Sequence, residues 1–272
     1  MSDPKLAFIG TGNMTRSIVG GLVAQGYPAA AISAANRSAE KLHQIVSDFG
    51  IQTGDNHRIA RTADVVILAV KPQGLKAVAE DLRPALAHQP LIISIAAGID
   101  CASLSRWLGE QHALVRCMPN TPSLVQMGAS GLYANALASD AQKATAERIM
   151  SAVGQVHWFE DESLLDAVTA VSGSGPAYFF LVMEAMIEAG VALGLEPEAA
   201  TDLTLQTALG AAQLARASDA SPGELRRRVM SPGGTTEAAI QVFENDNLRA
   251  IFKRAMIACA ERSSALAKEL GQ

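Results

Sequence analysis

Aromatic residues make up only 4% of this 272-residue chain. That is too little for an aromatic-rich β-sandwich core, so burial falls to aliphatic side chains and alanine, which suit close helix packing and parallel strands. Cysteine is also scarce. Cys101, Cys117 and Cys259 are odd in number and far apart, which excludes a disulfide framework and a paired-cysteine metal site and fits a reducing cytoplasm. The five histidines, His43, His57, His88, His112 and His157, are scattered, with no HExxH pair to put two ligands on one helical face, so no metal site is read. Charged residues are 18%, with 22 Lys plus Arg against 27 Asp plus Glu and a net charge of −5. This balance argues against nucleic acid or an anionic membrane as a partner. The start, Met1-Ser2-Asp3-Pro4-Lys5, lacks the basic and apolar regions of a secretory signal. The uncharged run between Asp166 and Glu184 falls short of the roughly 20 apolar residues that span a bilayer. It reads as buried helix flanking a tight turn at Ser172-Gly173-Ser174-Gly175-Pro176, and no membrane segment is expected.

Hydrophobic residues, at 49%, are abundant enough for a sizeable core. Up to about residue 158, short apolar runs alternate with amphipathic segments: Leu6-Ala7-Phe8-Ile9, Ala31-Ile32-Ser33-Ala34, Val65 through Val70, Leu91 through Ile95 and Ala113-Leu114-Val115. Continuous apolar runs mark strands buried on both faces, and the intervening segments are long enough for crossover helices. The expectation is an α/β fold, a Rossmann-type doubly wound parallel sheet over residues 1–160 followed by an all-α domain over 161–272. In the latter, helix starts stand at Gly175-Pro176, Glu196-Pro197-Glu198 and Ser221-Pro222-Gly223-Glu224. The helical part is apolar from Ala167 through Gly194 and again from Leu203 through Ala217. A core packed on the first domain is one way to cover that surface, and an intertwined homodimer is the other.

The first strand runs into Gly10-Thr11-Gly12-Asn13-Met14-Thr15 and then into a helix-like pattern. Gly10 permits the tight turn, Gly12 lets the backbone approach a pyrophosphate, and the helix N-terminus offers free N–H groups. The third glycine position carries Thr15, so the strict dinucleotide fingerprint is not met. Where NAD-binding chains place a carboxylate after the second strand, this one has Asn36-Arg37. Arg37 suits a 2′-phosphate, at about 1.5–3 kcal/mol per charge-assisted bond. NADPH is therefore expected, with NADH the weaker alternative. The turns at Ala69-Val70-Lys71-Pro72, Ala96-Ala97-Gly98 and Met118-Pro119-Asn120-Thr121-Pro122 line the same carboxyl edge, where ligands of this fold bind. In the helical part, Ser231-Pro232-Gly233-Gly234-Thr235-Thr236-Glu237 opens another helix. It forms a nest of amides and hydroxyls suited to a small carboxylate. Between Asp161 and Ala200 there is no Lys, Arg or His, and no histidine follows residue 160. Alcohol oxidation needs a base, usually His or Lys, whereas a basic imine nitrogen can arrive protonated and accept hydride at its carbon.

With these motifs in place, the chain resembles the pyrroline-5-carboxylate reductase family from Phe8-Ile9-Gly10 to the final helices. The most specific likenesses are Ala69 to Pro72, Arg116-Cys117-Met118-Pro119-Asn120-Thr121-Pro122, Asp166 through Tyr178, and Ser231 to Thr236. Thr15 stands where the family usually has Ala or Gly, and Met230 where a small or hydroxyl residue precedes the serine. The resemblance implies NADPH-preferring reduction of 1-pyrroline-5-carboxylate to L-proline by homodimers or rings of dimers. Each active site would be completed by a partner's helices. It places the substrate carboxylate on Ser231 and the amides of Gly234 and Thr235, and the ring nitrogen at the catalytic Thr236 hydroxyl. It places cofactor contacts at Gly10, Thr11, Gly12, Asn13 and Met14, at Asn36, Arg37 and Asn56, at Val70, Lys71 and Pro72, and at Ala97. The competing readings are a reductase of another cyclic imino acid and a non-catalytic nucleotide-binding protein. A β-hydroxyacid dehydrogenase would need its lysine near Phe179, which is apolar.

Overall fold

The computed structural model describes residues 3–271; Met1, Ser2 and Gln272, at the ends of the expected domains, lie outside them. Eight strands, β1 (Leu6–Ile9), β2 (Ile32–Ala35), β3 (Gln52–Thr53), β4 (Val65–Leu68), β5 (Leu91–Ser94), β6 (Leu114–Met118), β7 (Gly128–Ala134) and β8 (Gly154–Trp158), form one sheet in the order β3-β2-β1-β4-β5-β6-β7-β8. The apolar runs read from the sequence are β1, β2, β4, β5 and β6, all parallel to their neighbours within this group. β1, β4 and β5 are buried along their whole length, as strands covered on both faces must be. The strand order reverses between β1 and β4, the switch point at which open α/β sheets bind ligands.

Helices α1 (Asn13–Ala24), α2 (Ala39–Phe49), α3 (Asn56–Ala60), α4 (Pro72–Leu82), α5 (Cys101–Leu108) and α6 (Asp140–Ser151) connect the strands. Leu6, Phe8, Ile67 and Ile93 face a core shared with Ile18 and Leu22 of α1, Ile45 of α2 and Ile149 of α6. Ala7, Ile9, Val66 and Ile92 face a second core with Ile59 of α3, Leu75 of α4 and Leu104 of α5. Alternate residues of one strand thus fill two cores, and the sheet is doubly wound. Ser38, Asp100 and Ser139 cap the starts of α2, α5 and α6 through their side-chain oxygens.

The expectation of an all-parallel sheet is corrected at its far edge. β7 runs antiparallel to β6, and β8 pairs in parallel with β7. Neither strand carries a continuous apolar run, because Gln155 and His157 are exposed on β8 and Gly128, Ser130 and Gly131 interrupt β7. A second correction concerns Asp166–Glu184. Short α7 (Leu164–Val168) continues through a π-helical segment, Thr169–Gly173, toward α8 (Gly175–Ala192). The expected tight turn is therefore a helical turn with one extra residue. Leu164–Ala192 is a 29-residue stretch long and apolar enough to cross a membrane, and most of it is not buried. It is not the buried helix expected.

The chain divides into two compact units. One runs to Ser174 and resumes at Ala258; the other is Gly175–Ile257. The second unit holds α8, α9 (Pro197–Ala217), α10 (Pro222–Arg228), α11 (Thr235–Asn245) and the first part of α12 (Leu248–Leu270). Its helix starts fall where the sequence placed them, with Pro176 second in α8, Pro197 first in α9, and Ser221 capping α10 by accepting the Glu224 N–H. The end of α12 belongs to the first unit, where Leu270 packs on the second core.

Candidate active site

The turn after β1 is held open by backbone geometry. Gly10 has φ +109, and a Cβ there would lie 2.5 Å from the Ala69 carbonyl oxygen and 3.3 Å from Val70 Cγ1. Only glycine lets the ends of β1 and β4 close on each other at the switch point. Gly12 has nothing within 4 Å of its Cβ position and is exposed. It is the N-cap of α1, and no side chain caps the first amides of α1, those of Asn13 and Met14. This cradle fits a pyrophosphate in both shape and dipole.

Polar side chains beneath the cradle fix its shape. Thr11 is buried, and its Oγ1 accepts from Nδ2 of Asn36 at 2.6 Å. Oδ1 of Asn36 in turn accepts the Ser38 N–H at 2.9 Å. The Thr15 hydroxyl, fully buried, donates to the Gly10 carbonyl at 2.9 Å. The departure at Thr15 is thereby accommodated: the larger side chain satisfies the carbonyl of the strained turn. Arg37, next in sequence, is exposed, and among the described residues no hydrogen bond or ion pair holds its guanidinium. Asn56 is the first residue of α3 and is half-buried. Lys71 is the exposed N-cap of α4, Pro72 opens that helix, and Ala97 is exposed in the turn after β5. Gly10, Asn36, Asn56, Val70 and Ala97 follow β1 to β5 in turn, so all the expected cofactor residues share one sheet edge.

Three further groups on this edge had no role assigned from sequence. Glu162 Oε1 accepts the Cys101 N–H at the start of α5 (2.7 Å) and pairs with Arg116 of β6 at 2.8 Å. Asp166 accepts from the Ser263 hydroxyl at 2.6 Å, tying α7 to α12. Asn120 joins β7 to the π-helical segment. Asn120 stands in one of the motifs of the chain, but Glu162, the last of three consecutive acidic residues, carries no local signal of its partners. Burial disfavours the thiolate form of both buried cysteines. Burial pushes Cys117 up to about 12, and burial together with nearby Glu162 pushes Cys101 higher than an ordinary thiol.

In the helical unit, Gly234 is the N-cap of α11, again with no side-chain cap. The amides of Thr235, Thr236 and Glu237 are the first three of the helix and have no acceptor four residues back. Ser231, Thr235 and Thr236 are exposed at this helix start. The neighbouring amides are already engaged: Gly234 N–H donates to the Ser231 carbonyl at 2.9 Å, and Gly233 N–H to Oε2 of Glu237 at 2.6 Å. Gly233, at φ +69, makes that turn possible.

Residues 162–266 match the family model described as pyrroline-5-carboxylate reductase dimerisation. Residues 5–98 match the one described as NADP oxidoreductase, coenzyme F420-dependent. The chain is 56% identical to a pyrroline-5-carboxylate reductase of Pseudomonas aeruginosa, with 100% of each chain covered. A solved pyrroline-5-carboxylate reductase of Coxiella burnetii matches at 47% identity and TM-score 0.94, covering 98% of this chain and 99% of that one. A pyrroline carboxylate reductase of Plasmodium falciparum, solved with NADP bound, matches at 29% identity and TM-score 0.87, covering 98% and 99%. From its cradle to its hydroxyl-rich helix start, the chain belongs to the pyrroline-5-carboxylate reductase family.

Proposed function

We propose that this protein reduces 1-pyrroline-5-carboxylate to L-proline, the final step of proline biosynthesis, with NADPH preferred over NADH. Gly10 to Met14 would hold the pyrophosphate, Asn36 and Arg37 the 2′-phosphate end, and Asn56, Val70, Lys71, Pro72 and Ala97 the rest of the dinucleotide. When bound, the nicotinamide supplies the hydride. The protein's own tasks are then to bind and to orient. Ser231 and the Thr235 amide take the substrate carboxylate, and Gly234 shares its N–H between that carboxylate and the Ser231 carbonyl, a three-centre bond common at helix ends. The Thr236 hydroxyl hydrogen-bonds the ring nitrogen. The nitrogen arrives protonated or takes its proton from water, so no histidine or lysine is required beside it.

The division into a cofactor domain (1–160) and a substrate and dimerisation domain (161–272) follows from the same reading. The assembly is a cytoplasmic homodimer or a ring of dimers, with neither nucleic acid nor membrane as a partner. The exposed face of α8 is covered by a second copy of the chain, whose helices complete each active site.

The observation that carries this reading is the start of α11, where unpartnered amides stand beside exposed threonine hydroxyls in a domain without histidine. Steady-state oxidation of NADPH against a panel of cyclic imines tests it. Turnover should be greatest with the five-membered imino acid. Preference for a six-membered ring would move the assignment to another cyclic imino acid, and absence of turnover with every imine would leave a nucleotide-binding protein.

A further inference from the structure

The passage from α7 to α8 leaves the Ser172 carbonyl without the N–H that a regular α-helix would supply four residues on. Ser174 N–H donates to the Thr169 carbonyl, five residues back, at 2.8 Å, which is the π-type bond of this segment. In a regular ladder the Ser172 carbonyl would accept from residue 176. That residue is Pro176, which has no N–H. The missing donor comes from another strand connection: Nδ2 of Asn120 donates to the Ser172 carbonyl at 3.0 Å. Oδ1 of the same side chain accepts the Ala129 N–H of β7 at 2.9 Å. Asn120 is 8% exposed, so both bonds lie in a low-dielectric setting where a missing partner is costly.

Steric contact fixes the same place. A Cβ on Gly173 would lie 2.4 Å from Cε of Met118, the last residue of β6. The Met118 side chain, reaching from the end of β6, therefore packs against the backbone of the π turn. β6 is the neighbour of β5 in the sheet, and β5 leads into the Ala97 turn. We propose that Asn120 is a positioning residue for hydride transfer. It touches neither reactant; it holds the Ser172–Ser174 backbone against the end of β6, one strand from the Ala97 turn, and so fixes the wall of the cleft beside the reacting ring. This inference rests on the reading of that edge as the cofactor cleft of an imine reductase.

Asn120→Asp keeps the acceptor for Ala129 and removes the donor to Ser172. With the wild type established as turning over a cyclic imine, the variant should lose about 10- to 100-fold in kcat, the cost of a displacement on the order of 1 Å. The NADPH dissociation constant should stay unchanged, because the cradle is elsewhere on the edge. Amide exchange should quicken in residues 169–176 and not in residues 10–16. Adding Pro176→Ala supplies an N–H four residues after Ser172 and should restore most of the lost turnover. If Asn120→Asp alone does not fold, recovery of a folded, active protein by the double variant carries the same conclusion. Wild-type kcat in Asn120→Asp, loss of NADPH affinity in step with kcat, or a double variant that recovers nothing would each overturn the proposal. Failure of the wild type on every imine would instead remove the functional reading, leaving the exchange data to decide whether Asn120 holds the turn.

Discussion

All four residues of β4 are buried, whereas of the eighteen residues of α8 only Gly175 is. Both segments are rich in apolar residues, yet one lies between two cores and the other leaves Phe179 68% and Leu181 65% exposed. The sheet unit satisfies its apolar surface from its own chain, because helices cover both faces. The helical unit has too few neighbours to do so. Exposed apolar area of this size marks an interaction surface, and a dimerisation family model covers it. Apolar composition therefore says that a segment will be buried, without saying by which chain.

The largest expected effect breaks this contrast directly. Leu181→Asp places a carboxylate on the face assigned to the partner, where an unpaired buried charge costs several kcal/mol. Sedimentation velocity at micromolar concentration should find a monomer, with turnover down by more than about 100-fold. NADPH binding should survive, since the sheet unit keeps its own cores. A dimer with full turnover would show that α8 is not the interface.

Thr236→Ala comes next. A hydroxyl that orients the ring nitrogen, without being an essential proton donor, should account for roughly 10- to 100-fold in kcat, about 1.4–2.7 kcal/mol. Ser231→Ala should act mainly on the substrate KM, because the carboxylate contact is the same before and during hydride transfer. Unaltered kinetics in both variants would reduce the α11 start to an ordinary helix cap. In the sheet unit, Arg37→Ala should raise the NADPH KM about tenfold or more, the value of one charge-assisted bond, and leave NADH nearly unaffected. Equal losses for the two cofactors would make Arg37 structural.

The smallest effect is alkaline and belongs to the sheet unit. Burial raises the Cys117 thiol from the ordinary 9.0 to about 12, and burial raises the Tyr27 hydroxyl from 10.0 to about 12. The folded state holds these protons more tightly than the unfolded chain does. Their contribution to stability is complete below pH 9 and is lost as pH rises from 9 toward 12. Urea midpoints should fall across that window, and Cys117→Val should flatten the first part of the fall. A midpoint independent of pH there would contradict the assigned burial.

Legibility in the sequence followed the same division. β1, β4 and β5 could be read because strands covered twice must be apolar throughout, and the Gly10 turn because its geometry admits only glycine. The far edge could not be read. Gly154, at φ +152, has its Cβ position 2.0 Å from the Gly128 carbonyl oxygen, and these glycines serve close backbone approach without leaving an apolar pattern. The start of α11 was visible as a cluster of Gly, Ser and Thr, but the engagement of Gly234 N–H by Ser231 depends on the turn's conformation. The link from Asn120 to Ser172 spans 52 positions, and neither residue type announces its partner.

The claim that a second copy completes the helical unit, and the active site with it, is tested most directly by subunit complementation. Gly10→Ala forces a Cβ against the Ala69 carbonyl and damages only the cradle, while a double Ser231→Ala, Thr236→Ala variant damages only the α11 start. Each alone should turn over poorly. Co-expressed, they should form mixed dimers in which one site combines an intact cradle with a partner's intact α11, and turnover should rise well above either parent. Mixed dimers, verified by differential tagging, with turnover no higher than the mean of the parents would place each active site within a single chain and contradict the account.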